Sequence, residues 1–289
     1  MTVSAERGEE TPADAHRAMR VSELGEAAYM HEFFSRADDA SHEALGMAHA
    51  RVGGGVVTVM AHDPTGGFWN RTIGLGVDEP LTDAVLEEVL DFVRSHGGPL
   101  TILQVAPGAD PAGWEDLLVR AGARPSATWV KFAGRDVEPP EVRTDLRVEV
   151  LTAAHGADFA RVMCLGFGMP MDSPLPGWFA TMPGWGGAHT AYGAFDGDDL
   201  VAAASLVVDG DVASLCGAAT LPDHRGRGAQ GALMARRITD AAARGCRWLA
   251  TETGSETPES PNPSLHNMRR IGLTELYERR NWVWQAPAR

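Results

Sequence analysis

The sequence predicts a mixed α/β fold in two similar halves, and three observations carry that prediction. First, 289 residues exceed one compact domain of about 150 residues, so two cores are expected. Second, segments typical of strands and of helices alternate along both halves. Third, the segment "RDVEPPEVRTD" interrupts regular structure with two prolines and several charges. We therefore divide the chain into a polar N-terminal tail (1–21), a first domain (22–134), a linker (135–145) and a second domain (146–289).

Hydrophobic periodicity places the elements of the first half. Thr82 suits the N-cap of one helix, and Gly97 suits its C-terminal stop. The predicted order is a helix over 22–35, a strand over 56–60, a helix over 82–95, a strand over 100–105, a helix over 112–121 and a strand over 128–132.

The second half repeats this alternation with more strands. The turns "DGDD" and "VDGD" suit tight antiparallel hairpins, Ser264 suits a helix N-cap, and Gly245 suits a helix end. The predicted order is a strand over 146–151, helices over 153–166 and 174–181, strands over 190–195, 200–208 and 212–221, a helix over 228–244, a strand over 248–253, a helix over 264–271 and a strand over 282–285.

Composition argues against several classes of function. The formal net charge of −14 opposes nucleic-acid or anionic-membrane binding, and no apolar run approaches the ~20 residues of a bilayer span. The N-terminal segment lacks an apolar export signal, so we expect a cytoplasmic protein. Three cysteines without C-x-x-C spacing favour reduced thiols over disulfides or structural zinc, and we expect no metal. Lys131 is the single lysine, which leaves little scope for lysine chemistry.

The segment "TLPDHRGRGAQG" from Thr220 to Gly231 is the most informative stretch. A strand ends, Pro222 breaks it, a glycine-rich turn follows, and a helix begins at once. Backbone N–H groups of such a turn, at the positive end of a helix, form a concave site that suits a diphosphate. No Gly-Lys-Ser/Thr follows, and the hairpin-linked strands do not fit a Rossmann unit.

Residues 190–285 resemble the Gcn5-related N-acetyltransferase (GNAT) family. The family's motif Arg/Gln-x-x-Gly-x-Gly/Ala maps onto Arg225, Gly228 and Gln230, where Gln230 departs from the usual small residue. The stretch from Asn262 to Trp282 is similar to the family's late asparagine, its apolar-Gly turn and its tyrosine before a terminal strand. The resemblance implies two GNAT-like domains around a mostly antiparallel mixed sheet, the first a degenerate copy.

The resemblance also implies an N-acyltransferase that uses acetyl-CoA as cosubstrate to acylate an amine of a small molecule. Asn267 would bond to the pantetheine arm or separate two strands, with a helix-capping amide as the alternative. Tyr277 would protonate the leaving thiolate. The pantetheine would pair with the backbone of Ala218, Ala219 and Thr220. The cradle for the diphosphate would consist of Arg225, Gly226, Arg227, Gly228, Ala229, Gln230 and Gly231, with the two arginines adding charge.

The general base is less well defined by the sequence. Glu252, at the end of the strand after the predicted CoA helix, is the candidate catalytic base, with His189, Asp172 or a water chain as alternatives. Cys216 could accept the acyl group, although a buried small strand residue is the better interpretation. The aromatic and methionine side chains of 167–185 suit an apolar acceptor pocket, core packing or a lid.

Two alternatives complete the sequence-based interpretation. Arg71, Gly74 and Gly76 match the acyl-CoA motif literally, but Asp78 and Glu79 would repel a diphosphate there, so no second site is expected. A non-catalytic acyl-CoA-binding sensor or scaffold is the alternative to an enzyme. An acyl-carrier-protein donor is disfavoured by the acidic surface, and a monomer or homodimer without nucleic-acid or membrane partners is expected.

Overall fold

The computed structural model describes residues 12–258 and 261–287. Its first half alternates helices and strands as follows: α1 (Pro12–Ser35), α2 (Asp39–Leu45), β1 (Met47–Val52), β2 (Gly55–Met60), β3 (Arg71–Leu75), α3 (Asp83–Ser95), β4 (Leu100–Val105), α4 (Glu115–Arg120) and β5 (Arg124–Arg135). The second half continues with β6 (Arg147–Val150), α5 (Gly156–Phe167), α6 (Leu175–Thr181), β7 (His189–Asp196), β8 (Asp199–Asp209), β9 (Val212–Thr220), α7 (Ala229–Ala243), β10 (Trp248–Gly254), α8 (Pro263–Arg270) and β11 (Thr274–Gln285).

All these strands form one sheet in the order β1-β2-β3-β4-β11-β5-β10-β9-β8-β7-β6. The pairs β3–β4 and β9–β10 are parallel and the others are antiparallel. The predicted mixed α/β fold with a mostly antiparallel sheet is therefore confirmed.

The two halves exchange their last strands. β5, which ends the first half, pairs with β10 of the second half, and β11 lies between β4 and β5. Strands that precede the linker at 135–145 are therefore hydrogen-bonded to strands that follow it. The division into domains at 22–134 and 146–289 stays a prediction, and it does not describe how the sheet is built.

The helices cover both faces of the sheet. One face is covered by α1, α5 and α6. Residues of both halves, including Phe34, Phe159 and Trp178, form a single apolar core there. α7 and α8 pack on the opposite face over Leu215 and Phe132, and α3 and α4 cover that face further along. The site described below lies between α1 and the middle of the sheet.

Several elements differ from the prediction. α1 begins at Pro12 rather than at residue 22, so part of the predicted tail is helical and the part at 1–11 lies outside the described residues. Three elements, α2, β1 and β3, were not predicted from the sequence, and only the end of β11 was predicted. Asn262, not Ser264, is the N-cap of α8, because its side chain accepts from the Ser264 N–H at 3.0 Å.

Two predicted helix ends are confirmed. The Thr82 side chain accepts from the Val85 N–H at the start of α3. Gly245 follows α7 with φ +82°, a backbone conformation that glycine adopts without strain. All three cysteines are unpaired. Within the described residues, no helix combines the length and apolarity of a membrane span.

Candidate active site

The middle of the sheet opens between β9 and β10. These parallel strands pair only over Val212–Ser214 and Trp248–Ala250 and then diverge. Beyond that point, residues 218–220 pair with β8 on one side, and their other side faces the gap. An extended ligand could add to such a free strand edge. The structure thus places Ala218, Ala219 and Thr220 where a pantetheine arm could pair with their backbone.

A glycine-rich turn follows β9 and leads directly into α7. Gly226 and Gly228 have φ +80° and +83°, which L side chains rarely adopt. Among the described residues, the backbone N–H groups of 226–231 have no hydrogen-bond acceptor. Free N–H groups at the positive end of a helix bind anions well. The turn therefore has the geometry that an anion cradle requires, and the binding of a diphosphate there stays a prediction.

The two arginines of the turn behave differently. Arg227 pairs with Asp196 and Asp145, and these bonds raise the pKa of its guanidinium. Arg225 instead donates to the carbonyl oxygens of Thr220 and Gly166, each at 3.3 Å. Both arginines were predicted to add charge to the cradle, but two carboxylates balance the charge of Arg227. Backbone N–H groups and Arg225 are what remain for an anion.

The linker supports the cradle from outside. Thr144 Oγ1 donates to the carbonyl of Arg227 at 2.7 Å. A Cβ on Gly228 would lie 3.0 Å from the carbonyl oxygen of Arg143, so the linker and the turn touch closely. The predicted solvated linker is thus a structural part of this site.

Gln230, the residue that departs from the family motif, uses its side chain to contact α8. Its amide nitrogen donates to Ser264 Oγ at 3.1 Å, and its carbonyl oxygen accepts from Asn267 at 2.6 Å. The start of α7 is therefore tied to α8. Asn267, which was expected to reach the pantetheine or to cap a helix, is held by Gln230.

A cavity of about 670 Å³ begins beside the cradle and runs through the gap between β9 and β10. It begins at Gln230, Ser264 and Met268, passes Cys216 and ends in a chamber beneath α1. The first half supplies much of the chamber wall: Ser22, Glu26, Tyr29, Met30, Phe33, Phe68, Trp69, Arg71, Trp129 and Lys131.

A network of buried charges forms the floor of the chamber. Glu26 accepts from Lys131 at 2.6 Å and from Arg279 at 2.7 Å, and it lies 2.9 Å from Arg71. Glu252 contacts the same three cations, at 2.8 Å for Arg279 and 3.3 Å for the other two. Burial would raise the pKa of Glu26, but the three cations outweigh it and hold that pKa well below its usual range.

Glu252 differs from Glu26 in its acidity. Burial and the neighbouring Glu26 carboxylate raise the pKa of Glu252 above its ordinary value. Its Oε1 atom also accepts from the Tyr29 hydroxyl at 3.3 Å, and both residues line the cavity. Two adjacent carboxylates whose pKa values are pushed apart are typical of acid–base sites.

Tyr277 lies elsewhere. Its hydroxyl donates to Glu23 at 2.8 Å, and neither residue lines the cavity. Burial and the Glu23 carboxylate raise the pKa of Tyr277 far above its ordinary value. The structure therefore does not support Tyr277 as a donor to a leaving thiolate, because the strand β11 directs it to a different partner.

The other candidate catalytic residues, His189, Asp172 and Cys216, have surroundings that do not favour a catalytic role. His189 is buried against Ser205, and burial lowers its pKa to about 4, whereas Asp172 is exposed outside the cavity. Cys216 lines the cavity, but burial raises the pKa of its thiol to about 12. A thiol that stays protonated is a poor nucleophile, so the structural interpretation of Cys216 is favoured.

The apolar cluster at 167–185 divides between the cavity wall, the core and the surface. Phe167, Met169 and Met182 line the cavity, whereas Trp178 is a fully buried core residue and Met171 is exposed.

The sequence analysis missed Glu26 and Tyr29 as site residues. A sequence signal for Glu26 exists, because this carboxylate falls among Ala27, Met30 and Phe33 on the apolar face of a helix, where a buried charge needs partners.

The literal motif copy at 71–76 is part of a strand. Arg71 is buried, donates to Gln104 at 2.7 Å and joins the charge network, while Gly74 lies within β3. No helix follows it directly, since α3 begins only at Asp83. The expectation that this copy is not a cradle agrees with this geometry.

Comparisons with known proteins agree with the fold. Residues 170–259 match the model of the acetyltransferase (GNAT) family. A GCN5-related N-acetyltransferase from Kribbella flavida has a similar structure, with a TM-score of 0.59, 18% identity, and coverage of 93% of this chain and 96% of that one. Among curated protein sequences, none matches this chain significantly.

Two further solved structures share the whole architecture. A tandem GNAT protein from the clavulanic acid biosynthesis pathway gives a TM-score of 0.56 at 14% identity, with 95% of each chain covered. A GCN5-related N-acetyltransferase from Sphaerobacter thermophilus gives 0.55 at 13% identity, covering 95% of this chain and 93% of that one. Residues 170–259 are thus similar to the GNAT family, and the fold of the whole chain is similar to that of tandem GNAT proteins.

Proposed function

We propose that this chain is an acyl-CoA-dependent N-acyltransferase that moves an acetyl or related acyl group onto the amine of a small molecule. One observation carries the proposal. A single cavity joins a turn with free N–H groups to a chamber that holds the buried carboxylate of Glu252. The cavity volume of about 670 Å³ is typical of sites for small ligands, which favours a small acceptor over a protein surface.

The chemistry is a direct attack in a ternary complex. The amine nitrogen attacks the thioester carbonyl carbon, so a C–N bond forms and the C–S bond breaks. The nitrogen loses its proton to Glu252, and the sulfur leaves as the CoA thiolate. Because the raised pKa keeps Cys216 protonated, an acyl-enzyme on this thiol is not part of the proposed reaction.

Tyr29 takes the donor role that the sequence analysis gave to Tyr277. Its hydroxyl lines the cavity and contacts Glu252, and burial with the nearby carboxylates raises its pKa well above the usual value. The phenol therefore stays protonated and can donate a hydrogen bond to a developing negative charge.

The acceptor carries an apolar group beside its amine. Phe33, Phe68, Trp69, Trp129 and Phe179 line the chamber together with methionines. The Arg71 guanidinium lies over the Phe68 and Trp129 rings, at 5.2 and 5.0 Å from their centroids. These contacts fix the rings beside the charged floor, so an apolar group can pack on them while its amine faces Glu252.

Two glycines offer a matched test of the cradle. Gly226 and Gly245 both have φ near +80° and open space around a built Cβ, but only Gly226 lies in the turn. Gly226→Glu should weaken acetyl-CoA binding at least about 10-fold in calorimetric titration, because a carboxylate repels the diphosphate. Gly245→Glu should bind acetyl-CoA like the wild type.

Activity is then measured as thiol release from acetyl-CoA with a panel of apolar and polar amines. Amine-dependent thiol release that is lost in Gly226→Glu supports the enzyme. Binding of acetyl-CoA without release for any amine supports the sensor or scaffold instead. Equal binding by both variants would remove the cradle from the proposal.

A further inference from the structure

Arg237 stands out on the buried face of α7. Its neighbours on that face, Leu233, Met234, Ile238 and Ala241, are apolar and buried, as expected for an amphipathic helix. Arg237 is itself only 1% exposed. A charged side chain at such a position requires compensation.

The compensation is incomplete. Arg237 donates from Nε to the carbonyl of Leu233 at 3.2 Å and from Nη1 to the carbonyl of Ser205 at 3.0 Å. Among the described residues, no carboxylate lies within 4.0 Å of it, whereas the buried Arg71 and Arg279 each contact two or more glutamates. Burial lowers the pKa of Arg237 to about 10, so the guanidinium remains a cation at neutral pH.

The position of Arg237 links this cation to the cavity. Arg237 lines it beside Met234 and Cys216, and Ser205, whose carbonyl it contacts, is the β8 partner of Cys216. Cys216 lies where β9 and β10 have already diverged, between the Gln230 end and the Glu252 end of the cavity. If the proposed function holds, this is where the acyl group and the amine meet.

We propose that Arg237 binds a carboxylate group carried by one of the two substrates, either the acyl group of a dicarboxylic acyl-CoA or the amine acceptor. A planar guanidinium with unused N–H groups pairs with a carboxylate in a bidentate manner. The ligand supplies the anion that the chain does not, and the site selects for it because an uncharged analogue leaves the buried cation unpaired.

The acyl arm of the test titrates the full chain with acetyl-CoA and with succinyl-CoA. If the acyl group carries the carboxylate, succinyl-CoA binds about 10-fold or more tightly than acetyl-CoA, and Arg237→Met removes this preference while keeping its acetyl-CoA affinity. Arg236→Gln is the control, because Arg236 is a neighbour on α7 that pairs with Asp240 and does not line the cavity.

The acceptor arm titrates the acetyl-CoA complex with phenylalanine and with phenethylamine, which differ in one carboxylate. If the acceptor carries it, phenylalanine binds more tightly by about 10-fold, and the preference is again lost in Arg237→Met. Arg237→Lys keeps the charge and should retain part of whichever preference exists, and it covers the case in which Arg237→Met does not fold.

The outcomes are distinguishable from failure of the proposed function. No carboxylate preference in either arm, or a preference that survives in Arg237→Met, overturns the role of Arg237 while acetyl-CoA binding stands. No binding of any acyl-CoA by the wild type overturns the proposed function itself.

Discussion

The two ends of the cavity are built in opposite ways. The cradle comes from one continuous segment, in which β9 ends, the glycine turn follows and α7 begins. The charge network at the chamber draws one residue from each of five elements in both halves: Glu26, Arg71, Lys131 and Glu252 line the cavity, and Arg279 pairs with both glutamates behind them. The cradle is therefore a local feature, and the chamber exists only after the sheet has formed.

The two copies of the Arg-x-x-Gly pattern, at Arg225 and at Arg71, also differ in the elements that surround them. At Arg225 the residues after the pattern open a helix, and the N–H groups of the turn stay free. At Arg71 the pattern lies inside a strand, and its arginine holds two buried glutamates. The pattern alone does not define a site; the element that follows it does.

The exchange of strands is tested by cutting the chain. Residues 146–289 alone should not unfold cooperatively, because β11 would lose both its partners, β4 and β5, and β10 would lose β5. Circular dichroism during urea unfolding checks this. Residues 1–145 and 146–289 produced together keep every strand pair and should assemble into an acetyl-CoA-binding complex. A cooperative, acetyl-CoA-binding 146–289 fragment would mean that the second half does not need the first.

The substitution Glu252→Gln removes the proposed base from the chamber and does not change a residue of the cradle. We expect turnover to fall about 10²–10⁴-fold with acetyl-CoA affinity near that of the wild type, because only the base is removed. Removing a buried charge partner also costs about 3–5 kcal/mol of stability. Glu23→Gln is the matched control, since Glu23 contacts the same Arg279 but does not line the cavity. Equal loss of turnover in both variants would show that the network matters only for folding.

Tyr29 lines the cavity and Tyr277 does not, so variants of the two tyrosines distinguish a catalytic effect from a structural one. Tyr29→Phe should lower turnover about 10–100-fold without changing acetyl-CoA affinity, because the hydroxyl at the cavity is lost. Tyr277→Phe loses a similar hydroxyl–carboxylate bond outside the cavity, so only stability should change, by about 1–2 kcal/mol. Steady-state kinetics and urea unfolding measure the two effects. A larger kinetic effect for Tyr277→Phe would restore the sequence-based assignment.

His189 is a buried histidine that contacts Ser205 and does not line the cavity. Its folded-state pKa of about 4 lies below the ordinary value of 6.5, so the unfolded chain binds the proton more readily. Stability from this group is complete above about pH 6.5, and about 1 kcal/mol is lost between pH 6.5 and 5.5. His189→Gln should flatten the free energy of unfolding over this interval. An unchanged slope would place another group behind the pH dependence.

The local features of the cradle could be predicted because they follow from neighbouring residues. Pro222 ends β9, glycines allow the positive φ angles of Gly226 and Gly228, and α7 starts at once. The role of Gln230 could not be predicted, because its partners Ser264 and Asn267 come from α8. Glu252 was selected from its place at a strand end, and the structure adds the three cations and the carboxylate that surround it.

The misplacement of Tyr277 has a physical cause. The sequence predicted a strand only from residue 282, so Tyr277 was expected before that strand and near the leaving thiolate, whereas β11 begins at Thr274. Because β11 crosses to the first half, Tyr277 reaches Glu23 of α1 and not the gap between β9 and β10. No property of the residues around Tyr277 reveals this exchange of strands.

The sequence by itself determined the alternating α/β elements, the glycine turn and the similarity of residues 170–259 to the GNAT family, because turn chemistry and hydrophobic periodicity act over a few neighbouring residues. The tertiary structure decided which half closes the cavity, which tyrosine faces it and how six buried charges neutralise one another. These outcomes depend on strand order in the sheet, where residues more than 200 positions apart, such as Tyr29 and Glu252, come into contact.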